Sequence, residues 1–348
     1  MKKYEYHDID YFDAINVINI IDGLYNPLSS VCSKDDCMSI IEDYKLSNGF
    51  LFPFPITISI SPQTTNLLKP IMLRHDGADI AVFEIQDIFD LTPSYWYKIF
   101  QTDELSHPGL KRELNRGSIR LSGVLKPAGS HADRPKISNI VRKEIDDRNW
   151  SKIGSFQTRN PPHRGHEHLI RIALETNDGI IITPLYGWKK KDDFSNAVIA
   201  SGFHALIDNY LNKKNIIYHP LTFNMNYAGP RDAILHGVIR HNIGATSMIV
   251  GRDHAGVGNF YDKYAAHDLI KSLGPRPIEN FEFSLLAEPK YCHSCGHYVS
   301  DKTCRHLSEQ SSISGTLIRS LVAKKTQPQS WMMRPEVWNS INAQENSL

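Results

Sequence analysis

Two histidines three residues apart, His163 and His166, follow a row of hydrogen-bonding side chains, Gln157, Thr158, Arg159 and Asn160. Between them Pro161 and Pro162 forbid a helix interior and a central strand, so the chain turns there. Arg159 can grip an oxyanion with two parallel N–H bonds. Gly165 leaves room for a ligand against the backbone. Residues 153–156 read as a buried strand entering the turn. Leu169, Ile170, Ala173 and Leu174 recur at helical spacing, so a helix begins near His163 and both histidines share a face of its first turn. Strand, polar turn and helix N-terminus form an anion site, with free backbone N–H groups and the positive end of the dipole pointing outward. Such a site suits a nucleoside triphosphate and phosphoryl or nucleotidyl transfer. Any one of these residues alone would be a solvent-facing turn or a cap.

A second string, Gly251-Arg252-Asp253-His254-Ala255-Gly256, has related chemistry. Arg252 adds positive charge, Asp253 and His254 can orient a nucleotide, and Gly251, Ala255 and Gly256 let the backbone approach a ligand. The plainer alternative is a β–α turn in which Asp253 caps the next helix. A third cluster, Cys292-x2-Cys295-x8-Cys304-x-His306, is close to a Cys3His zinc pattern. His293 and His297 in the same loop leave the fourth ligand open, and reduced, unliganded thiols are the alternative. The loop is remote in sequence from the other strings, so its metal is expected to be structural. Five cysteines, three in one loop, point to a reducing cytoplasm and not a disulfide framework.

The elements that must position these residues read as an α/β architecture. An apolar run over 179–185, a helix over 197–210, a strand over 215–221, a helix over 230–241 and a strand over 245–250 alternate. That pattern predicts a Rossmann-like parallel sheet with both strings at carboxyl ends of strands. The first half predicts a compact α+β or barrel-like module. Its elements are a helix over 13–21, strands over 51–60 and 118–125, and a hairpin from 70–73 to 80–85 turning at Asp76-Gly77. Residues 129–148 read as the junction. Three parts follow: 1–148, a catalytic 149–285, and 286–348 with the cysteine loop and a packed element near 326–340. Lys+Arg 39 against Asp+Glu 38 in 348 residues gives net charge +1. That argues against a broad nucleic-acid or membrane surface. No run of about 18 apolar residues exists to span a membrane, and residues 1–11 lack the apolar core of a signal peptide. No Gly-x4-Gly-Lys-Ser/Thr loop signals a P-loop kinase domain.

Gln157-Thr-Arg-Asn-Pro161 joined to His163-Arg-Gly-His166 resembles the Gln-x-Arg-Asn-Pro and His-x-x-His signatures of the ATP sulfurylase (sulfate adenylyltransferase) family. Residues 251–256 match its Gly-Arg-Asp-His-Ala-Gly. Tyr227-Ala-Gly-Pro-Arg-Asp232 is similar to its Met-Arg-Tyr-Ala-Gly-Pro-Arg-Glu, with Asn226 in place of the first arginine and Asp232 in place of the glutamate. Ile313-Ser-Gly-Thr-Leu-Ile-Arg319 resembles Ile-Ser-Gly-Thr-x-x-Arg, where Ser314 or Thr316 can also simply cap the following helix. Lys302-Thr-Cys-Arg-His306 is similar to zinc-holding members. Residues 48–57 and His107-Pro-Gly109 resemble stretches of the family's first domain; its leading Pro-His-Gly-Gly segment is absent. Val198-Ile-Ala-Ser201 replaces the family's Val-Arg-x-Arg, with Lys189, Lys190 and Lys191 as candidate substitutes for that charge.

The resemblance implies a PUA-like first domain and the reaction of ATP with sulfate to give adenylyl sulfate and pyrophosphate. It implies that Gln157, Arg159 and the Ala255 backbone hold sulfate. Asn160, His163, His166 and Arg252 would hold a bent triphosphate, with Gln157, Thr158, Arg159, Gly251, Asp253 and His254 also lining the nucleotide. Arg159, His163, His166 and Arg252 are the catalytic set. Mg²⁺ would accompany ATP, and the protein would be a homo-oligomer. Two rivals follow from the departures: a nucleotidyltransferase of the same fold with another oxyanion or phosphate-ester acceptor, and a degenerate paralogue that only binds nucleotide.

Overall fold

The computed structural model describes residues 4–59, 69–188 and 193–345. Lys189 to Lys191, read above as substitute charge, lie outside the described residues. The chain forms two compact units, each assembled from separated stretches. The first comprises Met1–Arg148, Phe223–Gly244 and Asp253–Glu282; the second comprises Asn149–Thr222, Ala245–Arg252 and Phe283–Leu348.

The first unit is built on a five-stranded sheet of β1 (Glu5–Asp8), β2 (Ile58–Ser59), β3 (Ile71–His75), β4 (Ala78–Asp90) and β5 (Ile119–Pro127), in the order β1-β3-β4-β5-β2. The β3–β4 hairpin turns at Asp76 and Gly77, both with positive φ (47° and 78°), as a two-residue turn matching strand twist requires. β1 pairs parallel to β3; its charged, mostly exposed residues carry no apolar signal. The strand expected over 51–60 shrinks to β2, because Pro53 and Pro55 have no N–H to give a ladder. Phe52, Phe54 and Ile56 are instead buried outside any strand. The expected junction over 129–148 is largely a helix, Ile137–Asp147, that buries Val141 and Ile145. Arg142 on it donates to the carbonyls of His241 and Asn242 in the same unit.

The helix Pro230–Asn242 also belongs to this unit, and its residues 230–240 are all buried. Arg231 on it donates to the carbonyls of Ile40, Ile41 and Pro53. In the helix Pro108–Asn115, Glu113 is buried among Arg112, Arg116 and Arg120. Burial alone would raise its carboxyl, but the three guanidinium groups hold it at about 2.

The second unit carries β6 (Ile153–Phe156), β7 (Gly179–Ile182), β8 (Ile216–Tyr218), β9 (Ser247–Val250) and β10 (Glu282–Leu285), in the order β10-β9-β6-β7-β8. The β9-β6-β7-β8 pairs are all parallel. Every residue of β6 and β7 is buried, the burial that makes parallel strands read as continuous apolar runs. Crossover helices Arg164–Thr176 and Asn196–Tyr210 link β6, β7 and β8 to one side. The chain then returns to place β9 on the other side of β6. This reversal is the topological switch point at which α/β sheets bind ligands. The C-terminal helix Pro335–Glu345 adds Val337, Trp338 and Ile341 to the core that holds Phe156, Ile170 and Phe203. A small antiparallel sheet, β11 (Lys290–Cys292), β12 (His297–Val299) and β13 (Gln310–Ser312), has the order β12-β11-β13. No helix among the described residues is long and apolar enough to cross a membrane.

Candidate active site

The string 157–166 leaves the carboxyl end of β6, and Gly251 and Arg252 leave the end of the neighbouring β9. Leu185 N–H donates to the Thr158 carbonyl at 3.0 Å, and the Thr158 hydroxyl accepts from Asn160 N–H at 3.0 Å. These bonds close the turn that the two prolines then rigidify.

His163 is the N-cap of the helix and not a residue of its first turn: its φ is −108° and ψ 171°. Its Nδ1 accepts from His166 N–H at 3.3 Å, and the two rings stack with centroids 3.6 Å apart. A Cβ added at Gly165 would lie 3.0 Å from the His163 ring and 3.4 Å from Pro289. The space at Gly165 therefore seats the His163 ring, where a ligand was expected. The helix N-terminus is also less open than expected, since Arg164 N–H donates to the Met332 carbonyl at 2.9 Å. Two of its orphan amides are thus taken internally.

Burial, then the neighbouring His166, pushes His163 well below the usual imidazole range. Burial lowers His166 to about 4, against a raising hydrogen bond to the Pro161 carbonyl. Both rings are neutral at neutral pH in the ligand-free chain. Nδ1 of His166 is buried with no hydrogen-bond partner among the described residues.

Asp193, whose carboxylate is fully buried, lies 3.9 Å from Arg159 Nε and 3.6 Å from Arg319 Nη1. Arg319 also donates to the Asn160 side chain at 3.2 Å and to Thr316 Oγ1 at 3.2 Å. Ser314 caps the helix Gly315–Ala323 by accepting from Leu317 N–H. The capping reading of Ser314 thus holds, while Arg319 reaches the 157–160 turn. Asp193 was not singled out, because it trails a lysine run that reads as solvated loop. Arg252 pairs with Glu288 at 3.2 Å, and its Nε is buried with no partner among the described residues.

The rest of the second string, Asp253 to Gly256, belongs to the first unit. Asp253 does not cap a helix: the next one starts at Ala265, beyond Tyr264. Its N–H donates to the Lys263 carbonyl, and its carboxylate fills the space a Gly256 Cβ would need. Asp253 and Ala255 both hold positive φ, 54° and 59°, a strained backbone of the kind that collects at functional sites. His254 Nε2 lies 3.1 Å from Nδ1 of buried His236. Asn226 is buried, and its amide donates to Asp232 at 3.0 Å. Burial raises Asp232 to about 6, against the lowering hydrogen bonds from Asn226 and Ala228 N–H. In Val198-Ile-Ala-Ser201, Ile199, which stands at the family's first arginine, is fully buried in the core.

Cys292, Cys295, Cys304 and His306 bring their donor atoms within 4.8 Å of one another. Cys295 and Cys304, and Cys304 and Cys292, have sulfurs 3.7 Å apart; His306 Nδ1 lies 3.3 Å from Cys295 Sγ. Tetrahedral bonds of about 2.3 Å place sulfurs about 3.8 Å apart, so three thiolates and an imidazole fit a zinc-sized ion. His293 is engaged with Ser311 and His297 with the Cys295 carbonyl. The fourth donor in this geometry is therefore His306.

A parallel sheet with polar strings at the ends of adjacent strands on a switch point, beside a stacked histidine pair, defines a nucleotide-binding α/β enzyme. A family model of ATP-sulfurylase matches residues 136–344, and one of a PUA-like domain matches residues 1–128. A sulfate adenylyltransferase of Ignicoccus hospitalis is 36% identical over 339 residues, covering 93% of this chain and 86% of that protein. One of Deinococcus deserti is 36% identical over 323 residues, 90% and 82% of the two chains. A solved structure described as a hexameric APS kinase from Thiobacillus denitrificans superposes with a TM-score of 0.73 at 17% identity, over 98% of this chain. This chain spans 63% of that longer chain, and the likeness concerns the fold. The chain belongs to the ATP-sulfurylase family: a PUA-like domain followed by a nucleotidyltransferase.

Proposed function

We propose that this chain is a sulfate adenylyltransferase, joining the adenylyl group of MgATP to sulfate and releasing pyrophosphate. The reading is carried by the 157–166 string lying at the end of β6 beside Gly251 and Arg252 at the end of β9. A sulfate oxygen attacks the α-phosphorus as the bond to the β-bridging oxygen breaks in line, and its electron pair leaves with pyrophosphate. Sulfate is fully ionised at neutral pH, so no general base is required. That accords with two neutral histidines, which need not take up a proton. Gln157 and Arg159 are assigned to sulfate, with Asp193 fixing the charge beside Arg159. Asn160, His163, His166 and Arg252 are assigned to the triphosphate, where charge neutralisation and alignment must supply most of the rate. By the family resemblance the proposal extends to a homo-oligomer in a reducing cytoplasm, with zinc in the Cys3His cluster.

The test is pyrophosphate release from MgATP by purified protein, with and without sulfate. Sulfate-dependent release, lost in folded Arg159→Ala and His166→Ala variants, is the expected result. Near-wild-type turnover in folded Arg159→Ala would sink the assignment. Release that depends on a different oxyanion, and not on sulfate, would replace sulfate as the acceptor.

A further inference from the structure

The Cys3His loop takes no part in the chemistry proposed above, yet its flanks hold the first turn of the histidine helix. Tyr291, next to Cys292 on β11, stacks on Trp331 with ring centroids 5.3 Å apart and planes 20° from parallel. Tyr298 on β12 donates its hydroxyl to the Trp331 carbonyl at 2.7 Å, and its ring stacks on His168 of the helix. The carbonyl of the next residue, Met332, takes the Arg164 amide, and the Ser330 carbonyl takes the Arg164 guanidinium at 3.3 Å. Arg334 forks onto Glu167 at 2.9 and 2.8 Å. Pro289, immediately before β11, sits against Gly165 and hence beside the His163 ring. The turn carrying His163 and His166 is thus held by the two segments that the metal loop organises.

Packing of Tyr298 and Ile313 into the core of the second unit holds one face of this loop, and the Cys3His cluster lies at its other end. Each of its three strands is three residues long, so the sheet contributes little stability of its own. Three thiols and an imidazole at tetrahedral spacing add a second constraint when metal binds, and that binding energy adds to the folding energy of this sheet.

We infer that metal loading of the Cys3His cluster positions the histidine pair, with Trp331 as the relay. The cluster is a remote positioning device and not only a local staple. The inference rests on the nucleotide site proposed at His163 and His166.

The experiment uses the full chain. Metal is removed by a chelator and restored with Zn²⁺. Three quantities are followed: metal content, equilibrium binding of a non-hydrolysable ATP analogue, and the ring resonances of His166 assigned with a His166→Asn variant. Stripping is expected to shift the His166 signals and weaken analogue binding several-fold, with recovery on adding Zn²⁺. Trp331→Ala, still holding one metal per chain, is expected to reproduce the shift in the loaded protein. Its turnover should fall by on the order of a hundredfold, as misplacement of reacting groups by about 1 Å costs. Trp331→Phe, which keeps a stacking ring, should recover most of it. Unchanged His166 signals and analogue affinity in stripped protein that keeps its far-UV spectrum would overturn the inference. Should stripping unfold the chain, unchanged signals in loaded Trp331→Ala overturn it equally. If loaded wild-type protein binds no analogue, or binds it regardless of His166→Ala, the nucleotide reading fails instead. The His166 signals then decide the coupling by themselves.

Discussion

Replacing Glu167 by glutamine tests how firmly the histidine helix is anchored. Its carboxylate is almost fully buried and faces three guanidinium groups: Arg334 at 2.8 and 2.9 Å, Arg171 Nε at 3.0 Å and Arg164 Nε at 3.2 Å. Burial pushes this carboxyl up, but the Arg334 hydrogen bonds and the charges of Arg334 and Arg164 hold it below the usual range. Each oxygen serves two cations, so an amide NH₂ at either position sets two donors against a third. Two charge-assisted hydrogen bonds are lost, each worth about 1.5–3 kcal/mol when buried. The arginine side chains are 25%, 48% and 27% exposed for Arg334, Arg171 and Arg164, so water replaces part of that. A net cost of about 2 kcal/mol remains. For a unit of this size the melting temperature should fall by about 4–8 °C. Turnover should drop because the helix end that carries His166 loses its hold on Arg334. Differential scanning calorimetry and pyrophosphate release measure the two. A melting temperature within about 1 °C of wild type, with unchanged turnover, would refute the view of Glu167 as an anchor.

Three further outcomes are expected. Acidification should destabilise the second unit through the histidine pair. The fold holds His166 neutral, at about 4, against about 6.5 unfolded, so its contribution is complete above 6.5 and is lost as pH falls toward 4. At pH 5 the loss is on the order of 1–2 kcal/mol after allowing for its part-exposed ring. Urea titrations at pH 7.5 and 5.0 should show a smaller difference in His166→Asn than in wild type, and an equal one would contradict the assignment. Asn226→Arg, which restores the family residue, should destabilise the first unit by about 2–4 kcal/mol. The site is buried beside Arg112 and shaped to an amide. A stable variant with raised activity would show that Asn226 is a loss and not an accommodation. Metal analysis of protein purified without chelator should find one zinc per chain, and Cys295→Ser should abolish it.

What the sequence disclosed was what lies contiguous in it. The β6 and β7 runs, the helices that follow, the Asp76-Gly77 turn and the Cys3His spacing are all local signals, and the structure places them where the residues predict. What it concealed depends on distance. Glu167 with Arg334 and Arg252 with Glu288 are ion pairs between residues far apart, and nothing in either partner's neighbourhood names the other. Asp193 is hidden by its lysine-rich context, although it is fully buried. β1 was invisible because its strand character comes from pairing with β3 and not from its own residues. Proline explains the shortened 51–60 strand, a competing local signal that outweighed the alternation around it. Gly165 was legible as a need for space, but only the fold shows that a histidine ring fills it.

The helix Pro230–Asn242 lies between β8 and β9 in sequence yet belongs to the first unit, and the chain passes between units at 148/149, 222/223, 244/245, 252/253 and 282/283. Neither unit therefore corresponds to one uninterrupted piece of gene. A fragment ending at residue 148 would lack Arg231, leaving the carbonyls of Ile40, Ile41 and Pro53 without the guanidinium they share. It would also lack the carbonyls of His241 and Asn242 that Arg142 engages. A cut at residue 148 would therefore divide the first unit and not release it whole, because its core continues through residues 223–244 and 253–282.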